Sequence, residues 1–306
     1  MSFITTVHPL FTEWYTVNGE SMATYGWSIE SVTTGLPERK GENVTSPIMH
    51  GSMFREKRFG TRTDTWNIWV CDADPETGVI PTTETGKRAQ FNANMEKVTL
   101  MLNPLHQQLN IGKHFRLGLD GADEGIDNYL YSFGEVSSAY SYDDAKQFNC
   151  ATFSVDITYT YPFWIDSAES YGYTLLGPPS GVTTYIEYAG SAPQTSMTIT
   201  ISTPSTVTNP KILSSLPYGS PGQIGYIGTL TAGQTVVIDT YSYSITKGGN
   251  SVITNLFRAG SRQDWFELYS GSNPVITQCS SGEFSANFAY YNLYFAAGEA
   301  PPVPGS

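Results

Sequence analysis

The sequence predicts a mainly β chain, an α+β domain whose sheet is covered by one helix followed by a β-sandwich, and three observations carry that prediction. Charged residues fill only 14 % of the 306 positions, well under the roughly 25 % of an average soluble domain. Thr, Ser, Tyr, Gly and Pro take their place, and these residues suit pleated surfaces and corners. Apolar and polar residues alternate with period two in segment after segment, the mark of half-buried strands. Only one stretch has helical periodicity. The length favours two domains, since single cores stop growing near ~250–300 residues. We place them at 1–165 and 166–297, with 298–306 a Pro/Gly-rich tail expected to be disordered.

In the first domain, Tyr25-Gly-Trp27-Ser-Ile29 and Trp66-Asn-Ile68-Trp-Val70 read as strands. The helix follows: Phe91, Met95, Val98, Leu102 and Leu105 recur at steps of four and three on one face. Pro104 marks its end, because the residue before a proline disfavours the helical region. A one-faced helix needs a sheet to cover. Strands are expected at Phe115–Leu117 and Tyr129–Tyr131, and then at Phe153, Val155, Ile157, Tyr159 and Tyr161, which alternate with Thr, Ser and Asp. In the second domain Met197, Ile199 and Ile201 alternate with Thr and Ser, as do Tyr241, Tyr243 and Ile245. Gly248-Gly-Asn250 reads as a hairpin turn, and Phe284 to Tyr294 as the last long strand. Short strands at regular spacing without a helix indicate a jelly-roll-like sandwich.

Charge narrows the functional classes. The formal net charge is −12, and both halves are acidic: 12 basic against 20 acidic residues up to Ile165, then 4 against 8. Neither carries the broad basic stripe of a nucleic-acid binder, although DNA passing nearby would be repelled rather than held. The three cysteines, Cys71, Cys150 and Cys279, have no zinc spacing and are expected to be free thiols. Met1 to Glu13 lacks a basic region followed by an apolar run, and no stretch reaches ~18 apolar residues, so neither a leader nor a membrane contact is expected.

A search for reactive groups points away from an enzyme. Asp72-Ala-Asp74-Pro-Glu76-Thr-Gly78 has alternating acids, but Thr77 and Thr83 stand where a calcium loop needs Gly and Glu. Asp120 to Asp127 is a second acidic turn, and both read as solvated loops. His8, His50, His106 and His114 form no metal-binding pair; His106 falls where a cation would complement a helix end. There is no G-x-S-x-G elbow and no phosphate-cradling loop. Glu187, Glu267 and Glu283 share no strand, so the paired carboxylates of a glycosidase are not in evidence. No catalytic, cofactor or metal residue is assigned. Sugar binding without catalysis stays open, with Trp265 or the Tyr241/Tyr243 pair as the stacking surface.

A family resemblance rests on five phrases in order: Tyr188-Ala-Gly-Ser-Ala-Pro, Gly228-Thr-Leu-Thr-Ala-Gly-Gln-Thr-Val-Val-Ile-Asp239, the Gly248-Gly-Asn hairpin, Asp264-Trp-Phe-Glu-Leu268, and Ser270-Gly-Ser-Asn-Pro-Val-Ile. On these the second half resembles the galectin-like sandwich of the distal tail proteins of long-tailed (siphovirus) bacteriophages. The first domain is similar to that family's ring-forming (belt) domain and ends on Tyr161-Pro-Phe-Trp, with extra length at Val32–Met53 and Asp72–Thr85. The resemblance implies a non-enzymatic minor tail protein of the virion, a homo-hexameric ring at the tail tip. Implied partners are the tail tube protein, the tape-measure protein and the baseplate hub or tail-associated protein, with DNA only in transit and no membrane or cofactor. The alternative is a carbohydrate-binding sandwich for host-surface attachment. Closing a ring calls for complementary surfaces, and 20 Tyr, 15 Phe and 6 Trp would serve either interfaces or β-rich cores. The cluster Arg55, Lys57, Arg58 and Arg62 is the candidate interface: a charge-complementary contact with an acidic neighbour, against a plain solvated strand face.

Overall fold

The computed structural model describes residues 13–40, 44–45, 52–53, 58–105, 108–115, 129–138, 149–214, 222–259 and 266–296. Two compact units are present, one within Met1–Ser167 that also takes in Phe295, the other within Ala168–Tyr294.

The first unit is built on β1 (Glu13–Val17), β2 (Trp27–Thr34), β3 (Arg62–Val70), β4 (Leu109–Phe115), β5 (Tyr129–Val136) and β6 (Ala151–Tyr159). They pair antiparallel in the order β1-β4-β5-β6-β3-β2. The Met22 amide donates to Tyr15 O at 2.8 Å and the Ile29 amide to Met22 O at 3.3 Å. These bonds carry the pairing from β1 toward β2, so the sheet curls into a small barrel. Period two then decides the interior. Arg62, Asp64, Trp66, Ile68 and Val70 of β3 are buried, as are Phe153, Val155, Ile157 and Tyr159 opposite them on β6. The residues between form a polar ladder: Thr63 with Thr158 at 2.9 Å, Thr65 to Asp156 at 2.6 Å, Ser154 to Asn67 at 2.5 Å. A one-residue slip would exchange the two faces, which fixes the register.

Helix α1 (Glu84–Met101) joins β3 to β4. Thr83 caps it, its hydroxyl accepting from the Gly86 amide at 3.1 Å. Phe91, Met95, Val98 and Met101 are buried. The buried Asn94 amide donates to Cys71 O and Ala73 O at 2.7 and 2.8 Å, fastening the helix to the chain leaving β3. Gly26 permits the approach: a Cβ there would meet Asn94 Nδ2 at 2.6 Å. The expected reach to Leu105 is too long. Asn103 Oδ1 accepts the Leu105 amide in a turn before and over Pro104, and Leu105 is exposed. The first strand is also displaced, since Tyr25 precedes β2 as a turn residue.

A further strand, β7 (Trp164–Tyr173), pairs Ile165 and Asp166 with Tyr131 and Leu130 of β5 and continues into the second unit. There the strands are β8 (Val182–Tyr188), β9 (Met197–Ser202), β10 (Lys211–Ser214), β11 (Gln223–Tyr226), β12 (Thr235–Asp239), β13 (Ser244–Lys247), β14 (Leu256–Ala259), β15 (Gly271–Gln278) and β16 (Ser285–Tyr294). One sheet runs β7-β16-β9-β12-β13 and the other β8-β15-β10-β11-β14. Ile199, Ile201, Ile238 and Phe288 of the first belong to one core with Ile186, Ile212, Ile224 and Val275 of the second. Among the described residues of this unit the only helical piece is a single 3₁₀ turn, Ile253–Asn255. Gly248 and Gly249 have φ of 55° and 79° with Lys247 opposite Asn250, the tight hairpin expected there. Tyr241 and Tyr243 are not strand residues: Asp239 Oδ1 accepts the Tyr241 amide at 2.9 Å and starts a turn that leaves both tyrosines exposed.

Candidate functional site

The basic run does not stay together. Arg55 and Lys57 lie outside the described residues, and Arg58 belongs to a two-residue strand paired with Arg39–Lys40. Arg62 departs from the expected solvated face altogether. It is 1 % exposed, which takes its side chain off the surface. The physical reason is its parity with Trp66, Ile68 and Val70 on β3, which turns it into the barrel.

There Arg62 organises a buried polar centre. Its Nε lies 3.3 Å from Asp64 Oδ1, and its Nη1 donates to Pro162 O at 2.9 Å. The guanidinium packs over the rings of Tyr159 and Trp164, 4.1 and 5.0 Å from their centroids. Tyr15 closes the group, 5.1 Å from Trp66 and 6.2 Å from Trp164. Asp64 Oδ1 also accepts the Gly35 amide at 3.1 Å. Burial pushes the Asp64 carboxyl above the usual range, and the Arg62 guanidinium opposes that only in part. Burial, then Asp64, raises the Tyr159 phenol well above its ordinary value. Arg62, Asp64, Tyr159 and Trp164 are shut from solvent, and Tyr15 is half-buried at their edge. They brace the barrel and the Pro162 corner, where β6 gives way to β7.

The other sequence candidates resolve into local structure. Asp74 Oδ1 accepts from the Thr77 amide and hydroxyl, both at 2.8 Å, and from the Glu76 amide at 3.1 Å. The Thr77 donors hold its carboxyl below the ordinary range, so the loop is an Asx turn. The second acidic turn, Asp120 to Asp127, and Trp265, His8, His50 and His106 lie outside the described residues. His114 stacks between Trp14 and Tyr129, at 5.2 and 4.8 Å. Glu187 accepts the Ser272 hydroxyl at 2.6 Å, and Glu267 accepts that of Tyr269. Cys71, Cys150 and Cys279 are free thiols. A cleft of about 360 Å³ beside α1 is lined by Trp27, Gln90, Asn94 and Lys97 with Glu20, Asp74 and Glu76. Lys97 pairs with Glu20 at 2.9 Å. Among the described residues no group of three acidic, His or Cys side chains is arranged to hold a metal ion, and no helix is long and apolar enough to cross a membrane.

A curled sheet with one covering helix, followed in the chain by a two-sheet sandwich, is a fold like that of a solved phage Dit protein. The likeness is to the crystal structure of the SPP1 Dit (gp 19.1) protein, a paradigm of the hub adsorption apparatus in phages that infect Gram-positive bacteria. The two match with a TM-score of 0.57 and 12 % identity over 92 % of this chain and 99 % of that one. Two structures of the phage P2 baseplate in its activated conformation, with Ca and with Sr, align over 92 % and 90 % of this chain and 98 % of each of theirs. Their TM-scores of 0.35 and 0.33, at 9 % and 10 % identity, are too low to carry a comparison. No family model and no curated protein matches the chain.

Proposed function

We propose that this chain is a structural protein of a phage tail tip, whose copies close a ring, hexameric by preference, between the tail tube and the baseplate hub. The observation that carries this reading is the fold likeness to SPP1 Dit, which extends through both units. The role needs surfaces rather than a reactive group, and the acidic balance of both halves suits an opening that tape-measure protein and DNA traverse without adhering. Arg58 is the remaining candidate for a charge-complementary contact with an acidic neighbour. Mass photometry of the full chain, alone and with the tail tube protein of the same phage, tests the reading. The expected particle has six times the mass of the 33.5 kDa chain, and Arg58→Glu lowers its population while the circular dichroism stays unchanged. A monomer under both conditions at every concentration overturns it.

A second reading, glycan binding by the sandwich, is favoured by Tyr241 and Tyr243, which stand exposed on one turn. A glycan array with the Tyr241→Ala variant as control separates it from the first.

A further inference from the structure

We infer that the barrel of the first unit encloses a site for ordered internal water, held by the side chains around Arg62. Five residues there, Arg62, Asp64, Trp66, Tyr159 and Trp164, are at most 1 % exposed. Each turns at least one polar atom into the interior without a normal hydrogen bond to any protein group among the described residues: Arg62 Nη2, Asp64 Oδ2, Trp66 Nε1, Tyr159 Oη and Trp164 Nε1. They are neighbours, since the guanidinium lies over Tyr159 and Trp164, whose rings are 5.6 Å apart, and Tyr15 bridges Trp66 to Trp164. Buried polar groups are seldom left unpaired, and so many in one place point to a ligand that completes them.

The donors and acceptors decide what that ligand is. Two indole N–H groups and one guanidinium N–H need acceptors, whereas Asp64 Oδ2 needs a donor. A halide or other small anion would serve the donors and be repelled by the carboxylate; a cation would do the reverse. Only a small neutral molecule that both donates and accepts satisfies all of them. The site explains how an ion pair, two indoles and a phenol are accommodated together on the inward face of β3, β6 and the start of β7.

The test uses the full chain labelled with ¹⁵N-tryptophan. Water-selective NOE and ROE spectra are read at the indole N–H of Trp66 and Trp164, assigned by Trp66→Phe and Trp164→Phe. If either variant does not fold, assignment comes from NOEs of Trp66 to Tyr15 and of Trp164 to Tyr159. Trp27 is the internal control, because its buried indole already donates to Ser21 O at 3.0 Å. The expected result is a water cross-peak at Trp66 and Trp164, with the sign of a long-lived bound molecule, and none at Trp27. Silence at both while Trp27 resolves overturns the proposal. Indole shifts that follow a chloride-to-bromide exchange also overturn it, in favour of a bound anion.

Discussion

The two units fill the inside of a β structure in opposite ways. The sandwich places Ile, Val, Leu and Phe on the facing sides of its sheets in one apolar cluster, and its buried Glu267 is bonded to the Tyr269 hydroxyl. The barrel places an Arg–Asp pair among Trp66, Tyr159 and Trp164, with Lys113 also buried and paired to Glu13 at 2.9 Å. An apolar core is tolerant and additive: each methylene removed costs a little. A buried charge pair is neither, because each partner alone is an uncompensated ion. The barrel is therefore strict about sequence at a few positions, and the sandwich loosely constrained at many.

The largest expected effect exploits that asymmetry. Arg62→Met strands the Asp64 carboxylate and is expected to cost about 3–5 kcal/mol. Arg62→Met combined with Asp64→Leu removes both ions and is expected to recover most of the loss, since apolar replacement of a whole buried pair is often neutral or better by about 1–4 kcal/mol. Urea titration followed by tryptophan emission measures both, because Trp14, Trp27, Trp66, Trp69 and Trp164 belong to the first unit and only Trp265 follows Ser167. A double variant no more stable than Arg62→Met would end the contrast between the cores.

In the sandwich the expected behaviour is graded. Ile199 is fully buried between the sheets, and Ile199→Ala should cost about 3 kcal/mol, Ile199→Val about 1 kcal/mol. Combining either with Phe288→Leu should deepen the loss rather than rescue it. The measurement is circular dichroism under urea. Rescue by the second truncation would show that this core, too, holds a pairwise constraint.

Much of this was readable in the sequence, and the failures have two opposite causes. Phe153 to Tyr159, Met197 to Ile201 and the final strand were legible because alternation over five or more residues is strong and one face of each is polar. Arg62 was misread because proximity to Arg55, Lys57 and Arg58 was weighed as a patch, while its parity with Trp66, Ile68 and Val70 was the better signal. Asp64 shares that parity, and two opposite charges two residues apart on an apolar face mark a buried pair. Tyr241 and Tyr243 showed the reverse error. They keep period two with Ile245, but Asp239 bonds to the backbone two residues on and breaks the strand before them. The helix ran past its end because Leu102 and Leu105 keep the apolar rhythm that Asn103-Pro104 had already stopped. In the last two cases a short polar side chain that competes for backbone groups outweighed periodicity.

The smallest expected effect is one of pH, and it sharpens the comparison because the group responsible, Asp64, belongs to the barrel core. Burial raises the folded-state pKa of Asp64 above its ordinary 3.8. A carboxyl whose pKa rises on folding binds its proton more tightly in the folded state. Its contribution is therefore favourable below the unfolded value and is lost as pH rises through the folded one. The native chain should lose stability relative to the Arg62→Met/Asp64→Leu variant as pH increases from about 4, and the gap should then level off. A second decline begins above the ordinary phenol value of 10.0, because burial raises Tyr159 in the barrel and Tyr290 in the sandwich alike. That alkaline limb belongs to both units and survives in the double variant. Thermal melts of the two proteins across the acid range separate the contributions. If the difference between them is flat from acid to neutral pH, the Arg62 guanidinium has fully offset the burial of Asp64, and the barrel core is no more sensitive to protons than the sandwich.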